Sequence, residues 1–409
     1  MTLPSLTVDD QLALLARGTF AILSPDELAK KIARSVKTEK PLVVKLGADP
    51  TAPDIHLGHT VILNKLRQFQ DAGHRVVFII GDFTARIGDP TGRDKTRLAL
   101  TAEQIRVHAE TYRQQVMKIL DERRLEIVFN SAWLSGLSLE DVIREVSWFT
   151  LARLLEHNTF RDRFQRSESI RLHELLYPIC QAYDSLHLKP DVELGGSDQT
   201  FNIVFGRDLM KAHDLEPQVA VMMPILTGTD GKQKMSKSLG NTIGIAEPPY
   251  TMLEKVMNMV DENIVDYYTL LTDVPMSRVA AMESALKNPT EEIDVRSIKL
   301  DLAEEIVKRF HGAAVARDVR DGFGKVDKSG IDRLVIPGVE INNGKLWVVR
   351  LIQLAGFAGS GAEARRFIKQ GAVRINDLKI DREEIGVAAG DRFILRVGKN
   401  RVKQVDIAR

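Results

Sequence analysis

Leu42-Val43-Val44-Lys45-Leu46, the helical-pattern segment from Gly58 to Ala72, and Val76-Val77-Phe78-Ile79-Ile80 settle the architecture. Two short apolar runs rich in β-branched residues flank one amphipathic stretch. That is a βαβ unit, and its strands are expected to be parallel with a right-handed crossover. Further along, Glu103–Leu120 reads as a covering helix and Leu125–Phe129 as a third strand. Arg171–Ala182 and Asp198–Ala212 read as helices, and Val219–Met223 as a later strand. This alternation predicts an α/β fold, a doubly wound parallel-sheet (Rossmann-like) domain over residues 1–240. Residues 1–40 read as a helical N-terminal segment, in which Ser24-Pro25-Asp26-Glu27 has the form of a capping box with proline at the first helical position. After Asn241 the pattern is helical only, giving an α-helical domain over 241–326. Residues 327–346, with their Gly and Pro, read as a linker. Residues 347–409 form a small basic α+β module.

Composition narrows the class. Of 409 residues, 44% are hydrophobic and 28% charged, the balance of a globular protein with room for a sizeable core. A single cysteine, Cys180, excludes an internal disulfide framework and fits a reducing compartment. Residues 1–10 lack the basic-then-apolar order of a signal peptide. No apolar run approaches the roughly 18–20 residues that span a bilayer. A cytoplasmic protein with no membrane partner is therefore expected. The net charge of +1 hides an asymmetry: residues 347–409 hold 13 Lys/Arg against 7 Asp/Glu, or +6, which leaves −5 for the rest. Such a module suits a polyanion, although a merely solvated basic surface has the same composition.

Open α/β sheets bind ligands beyond the carboxyl ends of their strands, so chemistry is sought after Leu46, Ile80 and Glu193. Asp49-Pro50-Thr51-Ala52-Pro53-Asp54-Ile55-His56-Leu57-Gly58-His59 follows the first of these strands. A helix beginning near His56–Gly58 offers unpaired N–H groups and a positive dipole end, a natural phosphate site. Two imidazoles three positions apart share a helix face, and Gly58 admits a ring close to the backbone. Competing readings are a zinc pair, poor without further Cys or carboxylate ligands, or a satisfied helix-start histidine. Lys234-Met235-Ser236-Lys237-Ser238, after Gly228-Thr229-Asp230-Gly231, reads as a flexible loop. Its two ammonium groups can close over a leaving phosphate. Alone, such a cluster is as readily a solvated loop. Tyr177, Gln181 and Asp184 fall at i, i+4 and i+7 on one helix face. That face suits a polar aromatic ligand, or simply solvent. Gly88–Arg93 lacks the ending of a phosphate loop, and Cys180 reads as packing.

His56-Leu57-Gly58-His59 and Lys234–Ser238 resemble the two signature motifs of class I aminoacyl-tRNA synthetases. Essentially the whole chain is similar to the bacterial-type tyrosyl-tRNA synthetase family, most specifically in Gly47–Thr51, Gly88–Gly92, Tyr177–Asp184 and Gly195–Gln199. The resemblance implies a tyrosine–tRNA ligase that forms tyrosyl-adenylate and then charges tRNA(Tyr). It implies ATP as substrate with Mg²⁺ carried by ATP, no protein-held metal, and a homodimer. It assigns charge stabilisation to His56, His59, Lys234 and Lys237. The nucleotide would meet Asp49, Thr51, Gly58, Gly196 and Asp198 along with the two lysines. The amino acid would meet Gly47, Asp89, Asn130, Tyr177, Gln181 and Gln199, with Asp184 accepting from its phenol. The family commonly has tyrosine where this chain has Lys45. That ammonium is open to three readings: contact with the phenol, pairing with Asp184, or solvent. Residues 241–326 would form the anticodon-region domain. The helix, glycine turn and strand of residues 362–376 resemble a small RNA-binding domain shared with a ribosomal protein, with Arg365, Arg366 and Lys369 as a ridge for phosphates. Rivals are tryptophan activation, an RNA-binding paralogue without catalysis, and a small-molecule nucleotidyltransferase.

Overall fold

The computed structural model describes residues 6–50, 55–91, 101–287, 294–323, 333–337, 345–376, 378–398 and 401–408. The chain divides into two compact units. The first is Met1–Ala246 with Met259–Ile293, the second Glu247–Asn258 with Asp294–Arg409.

The first unit is built on a six-stranded sheet. Its strands are β1 (Ala21–Leu23), β2 (Val43–Ala48), β3 (Arg75–Ile80), β4 (Leu125–Phe129), β5 (Val192–Gly196) and β6 (Val219–Met223), in spatial order β1-β6-β5-β2-β3-β4. All neighbours are parallel except β1, which runs antiparallel to β6. Every residue of β5 and β6 is buried, as expected of parallel strands covered on both faces. The chain builds outward from β2 through β3 to β4, then returns to place β5 on the other side of β2. The strand order therefore reverses between β2 and β5, the position where such sheets open a ligand crevice.

Three helices frame the N-terminal side: α1 (Val8–Ala16), α2 (Pro25–Thr38) and α3 (Leu57–Asp71). Residues 1–40 are thus not helical throughout, since β1 intervenes and borders β6. Nor does Ser24 cap α2. It sits at φ 69° in the left-handed region with no side-chain cap bond, because the chain turns directly from strand into helix. Its hydroxyl and the Glu27 carboxylate instead accept from the Arg207 guanidinium at 3.4 and 3.1 Å. The expected helix over 171–182 is a 3₁₀ turn, Leu172–Leu176, followed by an α-helix, Tyr177–Leu188, with Pro178 in its first turn.

A buried lysine and a half-buried arginine tie three helices together. Lys65 of α3 donates to the carbonyls of Leu14, Leu15 and Arg17 at 3.3, 2.9 and 2.8 Å. Arg17 donates in turn to Tyr268, Thr269 and Thr272 at the end of the helix Ile264–Leu271. Carbonyls that a helix C-terminus leaves unpaired are thereby satisfied.

In the second unit the helix Pro249–Asn258 packs on Val295–His311 and Ala313–Gly322. The remaining strands are β7 (Arg333–Ile336), β8 (Leu346–Trp347), β9 (Val373–Ile375), β10 (Leu378–Lys379), β11 (Gly386–Val387), β12 (Arg392–Val397) and β13 (Arg401–Ile407). They form a five-stranded sheet, β10-β9-β12-β13-β7, and the pair β11-β8. Leu351, Ile352, Ile368, Val373, Leu395 and Val405 centre its core. The stretch expected as a linker contributes β7, whose Arg-Leu-Val-Ile run pairs parallel with β13 and buries Ile336.

Candidate active site

A cavity of about 290 Å³ opens at the carboxyl ends of β2, β3 and β5. Asp184 stands in its wall with Tyr177 and Gln181, so the face read from the 177–188 helix turns toward a cavity and away from bulk water. Asp184 is buried, and two donors orient it. The Trp133 indole N–H reaches Oδ1 at 2.8 Å, and Asn130 Nδ2 reaches Oδ2 at 3.4 Å. Burial pushes the Asp184 carboxyl up to about 7, opposed by Lys45 and by these two donors. The sequence reading missed Trp133. Its one signal is position, three residues past Asn130 at the end of β4.

Asp49 occupies a second station. Its carboxylate accepts from Thr84 Oγ1 at 2.7 Å and from the Tyr177 hydroxyl at 3.1 Å. Burial lifts it to about 7 against those bonds, with Asp89 and Asp184 adding like charge. Thr84 also accepts from Asn130 Nδ2 at 3.2 Å, so Asn130 links the two carboxylates. Only glycine fits at position 81, since a Cβ there would lie 2.1 Å from Asp49 Oδ1. Asp89 accepts from Gln199 Nε2 and from the Thr91 N–H, each at 2.8 Å. Gln199 in turn accepts from Asn202 at 3.0 Å. Three carboxylates therefore surround one small cavity, which favours a ligand carrying a cation. Gly47 and Gly196 complete its lining.

Lys45 neither reaches solvent nor pairs with Asp184. It is 1% exposed, and its Nζ lies 3.1 Å from Glu193 Oε1, itself 2% exposed. The pairing follows from register, because Lys45 and Glu193 are direct partners across β2 and β5. Ser185 and Gln218 donate to the other Glu193 oxygen at 3.0 and 2.8 Å. A buried ammonium demands such a partner. Its charge being taken by Glu193, the cavity keeps its negative character.

The rim carries the two signature segments. His56 precedes α3, and its backbone N–H donates to His59 Nδ1 at 3.2 Å. The His59 proton is thereby left on Nε2, ready to be donated. Burial lowers His56 to about 3 and His59 to about 4, with Lys237 adding like charge to both. Both rings are neutral donors at pH 7, and Lys237 lies within electrostatic reach of them. Lys234 stands in the same relation to Asp198, beside Gly196. Gly58 faces the His56 ring and Met235, the spaces a Cβ would meet, so its open face is taken by the signature loop. Thr51 lies outside the described residues.

In the second unit, Arg365, Arg366 and Lys369 are exposed on the helix Gly361–Lys369. Arg365 pairs with Glu383 at 2.9 Å and Arg366 with Glu363 at 3.7 Å, which partly offsets the expected cationic ridge.

Residues 37–326 match the family described as tRNA synthetases class I (W and Y). A tyrosine–tRNA ligase of Syntrophotalea carbinolica is 46% identical over 400 residues, 98% of each chain. One from Desulfotalea psychrophila is 42% identical over the full length of both. Among solved structures, a truncated Coccidioides posadasii mitochondrial tyrosyl-tRNA synthetase is 25% identical, with a TM-score of 0.61 over 76% of this chain and 91% of that one. The Archaeoglobus fulgidus enzyme complexed with L-tyrosine, 22% identical, shares the fold with a TM-score of 0.62 over 76% of this chain and 99% of that one.

Proposed function

This chain belongs to the class I tRNA synthetases of the tryptophan and tyrosine group, and from that membership we propose that it activates L-tyrosine with ATP and passes it to tRNA(Tyr). The observation that carries tyrosine is Asp184: a buried carboxylate in the cavity wall, aimed by Trp133 and Asn130, that a phenol hydroxyl satisfies and a phenyl ring leaves unpaired. The α-ammonium enters among Asp89, Tyr177 and Gln181, where uncompensated negative charge lines the cavity. Gln199, held by Asp89 and Asn202, orients the substrate carboxylate.

In the first step a tyrosine carboxylate oxygen attacks the α-phosphorus of ATP, forming the acyl–phosphate bond as the bond to pyrophosphate breaks. Mg²⁺ arrives with ATP. His56 and His59 donate as neutral imidazoles, and Lys234 and Lys237 neutralise charge on the leaving pyrophosphate. Asp49, Thr51, Gly196 and Asp198 bound the nucleotide, while Gly58, whose N–H and open face meet Met235, seats the loop that carries the two lysines. In the second step a hydroxyl of the terminal adenosine of tRNA takes the tyrosyl group and AMP leaves. No protein nucleophile is required; rate comes from alignment and from electrostatic stabilisation. Arg365, Arg366 and Lys369 hold tRNA phosphates. The enzyme works in the cytoplasm as a homodimer; no described helix is long and apolar enough to cross a membrane.

Amino-acid-dependent exchange of labelled pyrophosphate into ATP tests this, with tyrosine, tryptophan and phenylalanine supplied separately. Exchange with tyrosine alone is expected. Exchange with tryptophan overturns the role given to Asp184, and exchange with none, from protein that binds tRNA, overturns the activity.

A further inference from the structure

One side chain gathers the whole signature loop. Asn241 is 4% exposed and closes the segment that carries Lys234 and Lys237. Its Oδ1 accepts from the Ser236 N–H at 2.8 Å. Its Nδ2 donates to the Lys234 carbonyl and to Asp230 Oδ2, both at 3.1 Å. Its own carbonyl accepts from the Thr229 N–H at 3.1 Å. Gly228 packs flat on this amide, where a Cβ would lie 2.2 Å from Nδ2.

The clasp is anchored at both ends. Asn263 donates to the Gly228 carbonyl at 2.8 Å, and the Tyr267 hydroxyl to the Thr227 carbonyl at 2.9 Å. Toward α3, Met235 is buried with its N–H on the Leu226 carbonyl at 2.9 Å, and its sulfur accepts from the Gly58 N–H at 3.3 Å. The loop backbone is therefore held beside the histidine motif while the side chains of Lys234 and Lys237 remain exposed. A free loop would have to be ordered in every catalytic cycle, and lysines misplaced by an ångström stabilise the transition state poorly.

We propose that Asn241 is a positioning residue for adenylate formation. It presets the backbone of Lys234–Ser238, through Ser236, Lys234 and Asp230, so that both ammonium groups meet the pyrophosphate as it leaves. This rests on the reading of the site as one that activates an amino acid with ATP.

Asn241→Asp keeps the shape and the acceptor for Ser236 but sets a carboxylate against Asp230 and the Lys234 carbonyl. Adding Asp230→Asn exchanges the two groups and restores a donor between them. Both variants and the parent are compared by kcat and KM in pyrophosphate exchange, by tyrosine binding in equilibrium dialysis, and by tryptic cleavage after Lys232, Lys234 and Lys237 in the folded protein. N241D is expected to lose on the order of 10–100-fold in kcat, to bind tyrosine as the parent does, and to be cut faster in the loop. The D230N/N241D pair regains the bond between the two side chains but not the donor to the Lys234 carbonyl, and it is expected to recover part of both kcat and protection. The role of Asn241 is overturned if N241D keeps its kcat, if tyrosine binding falls in step with kcat, or if the exchanged pair recovers neither quantity. A parent that performs no exchange overturns the activation reading instead, and the tryptic pattern then still reports on the clasp by itself.

Discussion

Asp184 and Trp133 show what a single contact controls. On the proposed reading the substrate phenol donates to the ionised carboxylate, and burial holds that carboxyl at about 7 despite the Trp133 N–H. Activity limited by tyrosine capture should therefore decline as pH falls through about 7. Trp133→Phe keeps the ring and removes the donor that favours ionisation. The acid limb of kcat/KM for tyrosine is expected to move to higher pH, with little change above pH 9; a pH profile of both forms checks this. The same shift has a stability consequence. A carboxyl raised from 3.8 to about 7 on folding stabilises the fold fully only below pH 4, and that contribution is lost as pH rises through 7. Unliganded Asp184→Asn should thus melt above the parent at pH 8 and alongside it near pH 4, while losing discrimination of tyrosine from phenylalanine. Calorimetry across that range is the measurement. Much of this chemistry was legible from spacing, because Tyr177, Gln181 and Asp184 share a face of any helix. Trp133 was not, because the strand-end turn that brings it to Asp184 joins residues 51 positions apart.

Between elements, the decisive bonds run from cations to helix ends. Lys65 satisfies three carbonyls at the end of α1, and burial holds its amine down at about 7. Lys65→Met keeps the stem and strands those carbonyls, at a cost of roughly 2–3 kcal/mol for hydrogen bonds to a charged group. Urea unfolding is expected to show that loss with the m-value unchanged. The amphipathic pattern placed α3 within a residue of its observed start, yet it offered no reason for a lysine on the buried face. That reason lies at the end of α1, 48 to 51 residues earlier. Ser24 carries the converse lesson. Its capping pattern is genuine in sequence, and the tight passage from β1 into α2 overrides it.

At the level of the molecule, charge and apolar surface divide the labour. The C-terminal core from Ile336 to Ile407 closes on its own residues, so a chain ending at residue 326 should retain pyrophosphate exchange. Its aminoacylation of tRNA is expected to fall at least tenfold in kcat/KM. The parent alone should show a steep salt dependence of tRNA binding, since counterion release scales with phosphate contacts. The stretch from 139 to 172 leaves Leu139, Ile143, Trp148, Leu151, Phe164 and Leu172 between 52% and 82% exposed. An apolar cavity of about 240 Å³ lies beside it, lined by Leu134, Leu137, Val142 and Val146 among others. On the proposed reading this surface would pair two copies of the chain, and Leu172→Glu is expected to shift sedimentation equilibrium toward monomer. Phe149 does not belong to it, because its ring stacks on Phe205 at 3.9 Å.

Hydrophobic periodicity sufficed for the parallel core of the sheet and the places where ligands approach, because a strand or helix writes its own period along the chain, but the three-residue β1 was too short to show one. The signature motifs were equally visible, being contiguous. Lys45, Glu193 and Asn241 are different. An isolated ammonium on a strand has no partner until β5 settles against β2 and sets Glu193 opposite it. An asparagine after a loop becomes a clasp only when the loop folds back upon it. Burial makes the pairing of such groups compulsory, but neighbours across the sheet and the return of the loop choose the partner, and those arise only when distant segments pack.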